Sequence, residues 1–140
     1  MHHHRRAAIL ILAAGLSGCA TRAPVSVPGP GPTTVREVRE GLASYYGPGF
    51  EGKATASGAP FDMNAMVAAH PSYPFGTVVR VTNLGNGRSV SVRILDRGPA
   101  AAHQADGVII DLSRGAAERL GFIRAGRARV RVEVLEMGDP

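Results

Sequence analysis

Residues 77–95 read TVVRVTNLGNGRSVSVRIL, and this stretch decides the fold class. Valine alternates with arginine and threonine in its first half, and Val90, Val92 and Ile94 occupy every second position in its second half. Such alternation is typical of β-strands that bury one face. Gly85-Asn86-Gly87 lies between the halves and favours a hairpin turn, because Asn and Gly tolerate positive φ. The stretch therefore predicts two antiparallel strands.

Similar patterns on both sides of the hairpin extend the sheet. A helix is predicted between Ser113 as N-cap and Gly121 at C′, because Ala116, Ala117 and Leu120 form an apolar stripe. About six strands with few helices predict a small closed β-barrel, since an open sheet this short would leave its edges exposed. The other predicted strands are 42–46, 66–70, 108–110 and 128–136.

The composition indicates a globular domain and gives no sign of a nucleic-acid-binding protein. The chain has 140 residues, a formal net charge of +5 and 44% apolar residues, and it has no tryptophan. Most arginines alternate with apolar residues, as on a solvated sheet face, so we expect no nucleic acid partner. No metal-ligand spacing, phosphate-binding loop or Ser-His-Asp arrangement stands out, so neither a metal nor a cofactor is expected.

The N-terminus has the pattern of a targeting signal rather than of a folded domain. Residues 1–18 combine basic residues with an apolar run of about a dozen residues, shorter than the about 20 needed to span a membrane. The run ends in Leu16-Ser17-Gly18-Cys19, which resembles a bacterial lipobox, so Cys19 is the predicted lipidation site. Ala20, in place of an aspartate, favours the outer membrane. The alternative is an ordinary signal peptide followed by a chance cysteine.

Residues 19–40 are predicted to form the lipid anchor and a Pro/Gly-rich tether. The repeated prolines and glycines of this stretch disfavour helix and sheet and favour an extended chain. The folded domain is predicted to occupy residues 41–136, and residues 137–140 are predicted to form a short tail.

Several ordered motifs of the folded part resemble the rare lipoprotein A (RlpA) family, from Gly41 to about Leu135. The resemblance implies a mainly β fold, a six-stranded double-psi β-barrel with one or two short helices. It also implies lytic transglycosylase activity on peptidoglycan glycan strands, endolytic or exolytic, which leaves 1,6-anhydro-muramic ends. The motifs are GLASYYG (41–47), TASG (55–58), FDMNAM (61–66), AAH (68–70), PFGT (74–77), VTN (81–83), DRGP (96–99) and IDLS (110–113).

Asp96 is the predicted acid/base residue of that reaction. It follows an apolar strand and begins a turn, so its carboxyl is expected at the barrel rim, and it matches the catalytic aspartate of the family. A lytic transglycosylase needs a carboxyl that protonates the glycosidic oxygen and later accepts the C6 hydroxyl proton of muramic acid. The alternative for Asp96 is a turn cap that pairs with Arg97.

Other positions are predicted to support Asp96. Asp62 and His70 match family positions and are predicted to assist catalysis, with an Asx turn and a structural histidine as the alternatives. Asp111 is expected to cap the helix. The predicted substrate-binding residues are Tyr46, Thr55, Asn64 and Arg97.

One departure from the family leaves two functions open. Ala59 stands where active relatives carry a glutamate, and Glu51 in the same loop is a candidate substitute. The first function is an envelope lipoprotein enzyme that faces the periplasm. The second is a non-catalytic peptidoglycan-binding scaffold, with division or envelope proteins as further partners.

Overall fold

The computed structural model describes residue 18 and residues 34–140. The predicted signal peptide, the lipidation site Cys19 and the tether up to residue 33 lie outside the described residues. Within the described part, no helix has the length and apolar character needed to cross a membrane.

Six strands close into a barrel in the order β1-β5-β2-β4-β3-β6. β1 runs parallel to β5 and β2 runs parallel to β4, while the other neighbouring pairs are antiparallel. Closure leaves no free sheet edge, as the sequence predicted. The strands are β1 (Glu37–Tyr45), β2 (Val67–Ala69), β3 (Val78–Asn83), β4 (Ser89–Asp96), β5 (Val108–Leu112) and β6 (Ala128–Glu136).

The predicted hairpin is confirmed. β3 and β4 pair in antiparallel register from Val78↔Arg93 to Thr82↔Ser89. The turn between them includes Gly87 at a φ of 75°, a conformation in which glycine has no Cβ penalty. Val90, Val92 and Ile94 are buried, and the residues between them are exposed, as the alternation predicted.

The boundary between tether and barrel was placed too late. β1 begins at Glu37, because Glu37 to Glu40 pair in register with Val134 to Arg131 of β6. The apolar pattern of the sequence does not indicate this extension of β1, because the stretch contains several charged residues and the side chain of Val38 is 54% exposed. A strand segment that is held by backbone hydrogen bonds, and whose side chains are mostly exposed, leaves no alternating apolar pattern in the sequence.

The helix predicted after Ser113 is confirmed as α2 (Arg114–Leu120). The Ser113 hydroxyl accepts a hydrogen bond from Ala116 N–H, and Gly121 ends the helix in the left-handed conformation. A shorter helix, α1 (Ala101–Ala105), and a 3-10 turn (Pro48–Phe50) were not predicted. Neither buries a residue, so neither leaves an apolar stripe in the sequence.

The core consists almost entirely of aliphatic side chains, as the composition indicated. Valines of β3, β4 and β6 fill the barrel, and α2 packs Ala116, Ala117 and Leu120 against it. Tyr73 and Phe122 are the aromatic side chains of the core cluster. The rigid barrel presents the ends of β1, β4 and β5 to one another, which determines where the polar side chains described next can meet.

Candidate active site

A row of residues in register crosses four strands at the barrel surface. Ser44 of β1 pairs with Asp111 of β5, Asp111 pairs with Ala69 of β2, and Ala69 pairs with Asp96 of β4. Residues in register share a face of the sheet, and strands lie about 4.8 Å apart. The two aspartates therefore flank Ala69, with Cα atoms roughly 10 Å apart. Ala69 itself is buried, whereas both aspartates are half-buried.

Three hydrogen bonds hold the carboxylate of Asp96. Its Oδ1 accepts from the backbone N–H of Ala56 (2.8 Å) and of Arg97 (2.9 Å), and its Oδ2 accepts from the Tyr46 hydroxyl (2.5 Å). The donors come from a loop, from the following turn and from the residue after β1. This arrangement fixes the orientation of the carboxylate, as catalysis requires of an acid/base group. The expected position of Asp96 at the barrel rim agrees with the structure.

Tyr46 lies in an aromatic group beside Asp96. Its ring packs between Phe61, at a centroid distance of 4.4 Å, and Phe50, at 5.2 Å. Burial and the hydrogen bond to Asp96 raise the pKa of Tyr46, so its hydroxyl remains a donor at neutral pH. Phe50 is 49% exposed and was not predicted as a site residue. The available signal was an aromatic residue in a Gly/Pro-rich loop close to Tyr46.

Asp111 supplies a second carboxyl, and its expected role as a helix cap was wrong. Ser113 caps α2 instead, while Asp111 Oδ1 accepts a hydrogen bond from the Ser44 hydroxyl at 2.9 Å. Burial raises the pKa of Asp111, and the negative charge of Asp96 adds to the effect. The Ser44 hydrogen bond and the charge of His103 oppose the shift. Sequence spacing could not pair Asp96 with Asp111, because β2 lies between their strands.

These groups line one cavity of about 330 Å³, which we call the first cavity. Its size is in the range of small-molecule sites. It contains the oriented carboxylate of Asp96, the carboxyl of Asp111 with a raised pKa, and an exposed aromatic ring, which together suit acid/base chemistry on a sugar. Within residues 34–140, no group of three or more His, Cys, Asp or Glu is arranged to hold a metal ion. The residues used below are Ser44, Tyr46, Phe50, Asp96, His103 and Asp111.

Four of the predicted site residues in the described part do not line the first cavity: Asp62, Thr55, Asn64 and His70. Asp62 is exposed, and its Oδ1 accepts from Asn64 N–H at 2.8 Å, which is the Asx turn left open as its alternative. Thr55 is buried, and its hydroxyl donates to the Ala59 carbonyl. Thr55 therefore shapes the turn that presents Ala56 N–H to Asp96. The only hydrogen bond of Asn64 to a side chain in the described part uses its backbone N–H.

His70 and Arg97 are neighbours of Asp96, His70 through a backbone hydrogen bond and Arg97 as the next residue, but their side chains contact other groups. The backbone N–H of His70 donates to the Asp96 carbonyl at 3.2 Å, whereas the imidazole lines a second cavity. Arg97 lines the first cavity, but its guanidinium donates to the Tyr73 carbonyl at 2.8 Å and stacks on Phe75. Arg97 therefore ties the turn after β4 to the loop after β2.

The position of the missing glutamate lies outside the first cavity. The Ala59 carbonyl accepts hydrogen bonds from Thr55, and the Glu51 carboxylate accepts from Met63 N–H at 2.8 Å. Neither residue lines the first cavity. Glu51 is therefore not placed as a substitute acid, and the second carboxyl beside Asp96 is that of Asp111.

Comparison with known proteins agrees with this geometry. A family model described as lytic transglycolase matches residues 38–132, which is most of the described barrel. The chain belongs to the lytic transglycolase family. The resemblance to RlpA proteins is thereby confirmed.

Curated relatives of this chain are named RlpA. The endolytic peptidoglycan transglycosylase RlpA of Campylobacter jejuni is 48% identical over 105 residues, which cover 75% of this chain and 37% of the relative. A probable endolytic peptidoglycan transglycosylase RlpA of Treponema pallidum is 56% identical over 95 residues, which cover 68% of this chain and 29% of the relative. The chain thus spans about a third of the length of the curated relatives it matches.

Solved structures share the fold. The Streptomyces papain inhibitor aligns with a TM-score of 0.57 at 22% identity and covers 73% of this chain and 97% of its own. An apo expansin of Clavibacter michiganensis aligns with a TM-score of 0.55 at 25% identity and covers 74% of this chain and 52% of its own. These similarities confirm the predicted double-psi β-barrel.

Proposed function

We propose that this protein is a peptidoglycan lytic transglycosylase that uses the first cavity to cleave glycan strands. The observation that carries the proposal is the pairing of Asp96 and Asp111 across Ala69 in one open cavity. The names of the curated relatives support the substrate and the reaction. Endolytic cleavage, the activity in those names, is the proposed mode.

The reaction requires one proton on this pair of carboxyls when the glycan is bound. That proton passes to the glycosidic oxygen as the bond between this oxygen and C1 of muramic acid breaks. The C6 hydroxyl of the same sugar then bonds to C1, and its proton returns to the carboxyls, so no water is consumed. Asp96 is the residue that touches the reacting atoms, while Asp111 disfavours a second negative charge in the cavity.

Phe50 is the proposed platform for a sugar ring at the entrance of the cavity. Half of its side chain is exposed, its ring is held edge-on by Tyr46, and Lys53 lies 5.6 Å from its centroid. An exposed aromatic face can pack against the apolar C–H groups of a sugar without requiring a specific hydroxyl pattern. Phe50 thereby supports binding of a repetitive glycan.

The proposed location is the periplasmic side of the outer membrane. The lipobox-like segment before Cys19 supports lipid attachment, and each buried methylene of an acyl chain would contribute about 0.8 kcal/mol to membrane binding. The Pro/Gly-rich stretch that follows supports a tether long enough to reach the cell wall. Division or envelope proteins are the further proposed partners.

The alternative is a wall-binding module without catalysis. Ala59 in place of the family glutamate favours it, because an alanine cannot transfer a proton. Against it, Asp111 offers a second carboxyl in the same cavity as Asp96. The two functions predict the same binding and different products.

One experiment distinguishes them. The full chain is incubated with peptidoglycan sacculi in water labelled with heavy oxygen, and the products are analysed by mass spectrometry. The proposal predicts 1,6-anhydro-muramic ends that contain no heavy oxygen. Products that carry the label would indicate a hydrolase, and sedimentation with sacculi without any product would leave only the binding module.

A further inference from the structure

A second cavity of about 280 Å³ borders the first and has no role in the reaction described above. Its polar lining comes from Arg39 of β1, from His70 and Ser72 after β2, and from Gln104 of α1. Ile109 of β5 forms part of its apolar wall. A polar lining around an apolar wall is typical of sites for small polar ligands.

The two cavities are neighbours along the same elements. Ile109 lines the second cavity and Asp111 lines the first, and the two residues share a face of β5 with Cα atoms about 7 Å apart. His103 and Gln104, consecutive in α1, likewise line the first and the second cavity. A chain molecule bound in the first cavity can therefore extend into the second.

His70 presents a hydrogen-bond donor to the second cavity. Its Nδ1 accepts from Ser72 N–H at 3.1 Å and from Tyr73 N–H at 3.0 Å, so the proton of the neutral imidazole lies on Nε2. Burial, with a smaller contribution from Arg39, lowers the pKa of His70 to about 4, and the ring is neutral at pH 7. The ring is fixed by stacking on Tyr73 at a centroid distance of 3.6 Å.

The Nε2–H group of His70 is open to a ligand. It has no hydrogen-bond partner among the described residues, although His70 as a whole is only 8% exposed. In the same part of the chain, no side-chain nitrogen or oxygen is both fully buried and without a partner. The Nε2 atom therefore reaches the space that the residue lines, which is the second cavity.

The charges around His70 favour an anion. Arg39 uses its Nε to pair with Glu37, whose Oε1 also accepts from the Tyr73 hydroxyl, and the Arg39 guanidinium pairs with no other carboxylate within residues 34–140. Arg97 lies close enough to His70 to affect its charge state. Around His70, the guanidinium groups of Arg39 and Arg97 thus outnumber the carboxylate of Glu37, and guanidinium donors match carboxylate oxygens.

We propose that the second cavity binds a carboxylate of the peptidoglycan strand, held by the terminal amino groups of Arg39 and the Nε2–H of His70. This assignment rests on the proposed function, and it makes His70 a substrate-binding residue rather than a partner of Asp96 in proton transfer. The carboxylate belongs either to the lactyl group of a muramic acid without peptide or to the end of a stem peptide. Both sources offer the same chemistry to the site.

Binding without turnover tests the proposal independently of catalysis. N-acetylmuramic acid and N-acetylglucosamine, which lacks a carboxylate, are titrated into the full-length Asp96→Asn protein, and the His70 and Arg39 signals are followed by NMR. The expected result is that only N-acetylmuramic acid shifts them, and that Arg39→Gln weakens its binding about tenfold. Arg129→Gln, an exposed arginine of β6, is the matched control and should bind normally.

A second variant separates recognition from folding. Glu37→Gln removes the carboxylate that competes for Arg39, so it should tighten binding of N-acetylmuramic acid, an effect that a structural defect would not produce. Equal binding of the two sugars, or no effect of Arg39→Gln, would overturn the proposal whether or not the protein cleaves glycan. Comparing glycan fragments with and without stem peptides then assigns the source, since Arg39→Gln should weaken only the fragments that supply the carboxylate.

Discussion

At the scale of single residues, the chemistry depends on the different environments of two aspartates. Asp96 accepts three hydrogen bonds and is oriented by them, whereas Asp111 accepts one from the Ser44 hydroxyl, and burial raises the pKa of Asp111. Two carboxyls in unlike environments are a common arrangement for acid/base work, because the environments can give the two groups different roles. The ionised Asp111 side chain should therefore lower the stability of the fold, and the residue should be necessary for activity.

Asp111→Asn should raise the thermal stability at neutral pH and lower the activity. Because burial raises the pKa of Asp111, the cost to stability grows as the pH rises from the ordinary aspartate pKa to the raised pKa of the folded state and is fully present above it, while at about pH 3 the carboxyl is mostly protonated in both states and the cost is nearly absent. The melting temperature of Asp111→Asn should thus exceed that of wild type at pH 7 and match it near pH 3, as measured by circular dichroism. The exposed Asp139→Asn is the control. An equal melting temperature at pH 7 would contradict the desolvation of Asp111.

Tyr46 is a positioning residue with a separable effect. Tyr46→Phe keeps the ring between Phe50 and Phe61 but removes the hydroxyl that donates to Asp96. We expect kcat for glycan cleavage to fall about tenfold with KM nearly unchanged, since one hydrogen bond to a charged group is worth about 1.5 kcal/mol. Steady-state kinetics on soluble glycan fragments would measure this. A rise in KM with unchanged kcat would instead assign Tyr46 to substrate binding.

At the scale of the elements, the sequence was informative wherever a face is buried. The alternation of β3, β4 and β6 and the cap residues of α2 predicted those elements correctly. The start of β1 and the whole of α1 were missed, because exposed residues form them and no apolar period marks them. The candidate site was predicted in part for a related reason: motifs identify Asp96, but only the strand order brings Asp111 beside it.

The contact between α2 and the loop before β2 can be tested by one substitution. Gly115→Ala adds a better helix former, which by propensity alone should stabilise α2 by about 1 kcal/mol. The added Cβ would however lie 2.8 Å from the backbone oxygen of Asn64, so we expect a net loss of about 1–3 kcal/mol in unfolding free energy. Chemical denaturation would measure it, with Gly49→Ala, which meets no atom within 4 Å, as the control. A stabilised Gly115→Ala protein would show that the loop can move away.

At the scale of the whole molecule, the closed barrel is what holds the two cavities in fixed relation. β1 contributes to closure along its full length, lines the first cavity near its end and supplies Arg39 to the second. The strand before Gly41 is therefore part of the folded domain. Sequence patterns assigned residues 37–40 to the tether, and the pairing of these residues with β6 shows that they belong to the barrel.

Removing the first residues of β1 should weaken the whole domain. A chain that begins at Gly41 lacks the pairing of Glu37 to Glu40 with β6, whereas one that begins at Thr34 keeps it. We expect a lower melting temperature for the shorter chain and loss of N-acetylmuramic acid binding, because Arg39 is absent. Melting curves of the two chains provide the comparison. Equal stability would mean that the extension of β1 contributes nothing to closure.

A matched pair of aspartate variants tests whether glycan cleavage takes place at Asp96 in the first cavity. Asp96→Asn retains an oxygen for the N–H donors but cannot exchange a proton, while Asp62→Asn changes an exposed Asx turn outside the cavity. Release of 1,6-anhydro-muramic products from sacculi is measured for both variants and for wild type. We expect a loss of at least about 100-fold for Asp96→Asn and near wild-type release for Asp62→Asn. Full activity of Asp96→Asn, or an equal loss in both variants, would contradict cleavage at Asp96.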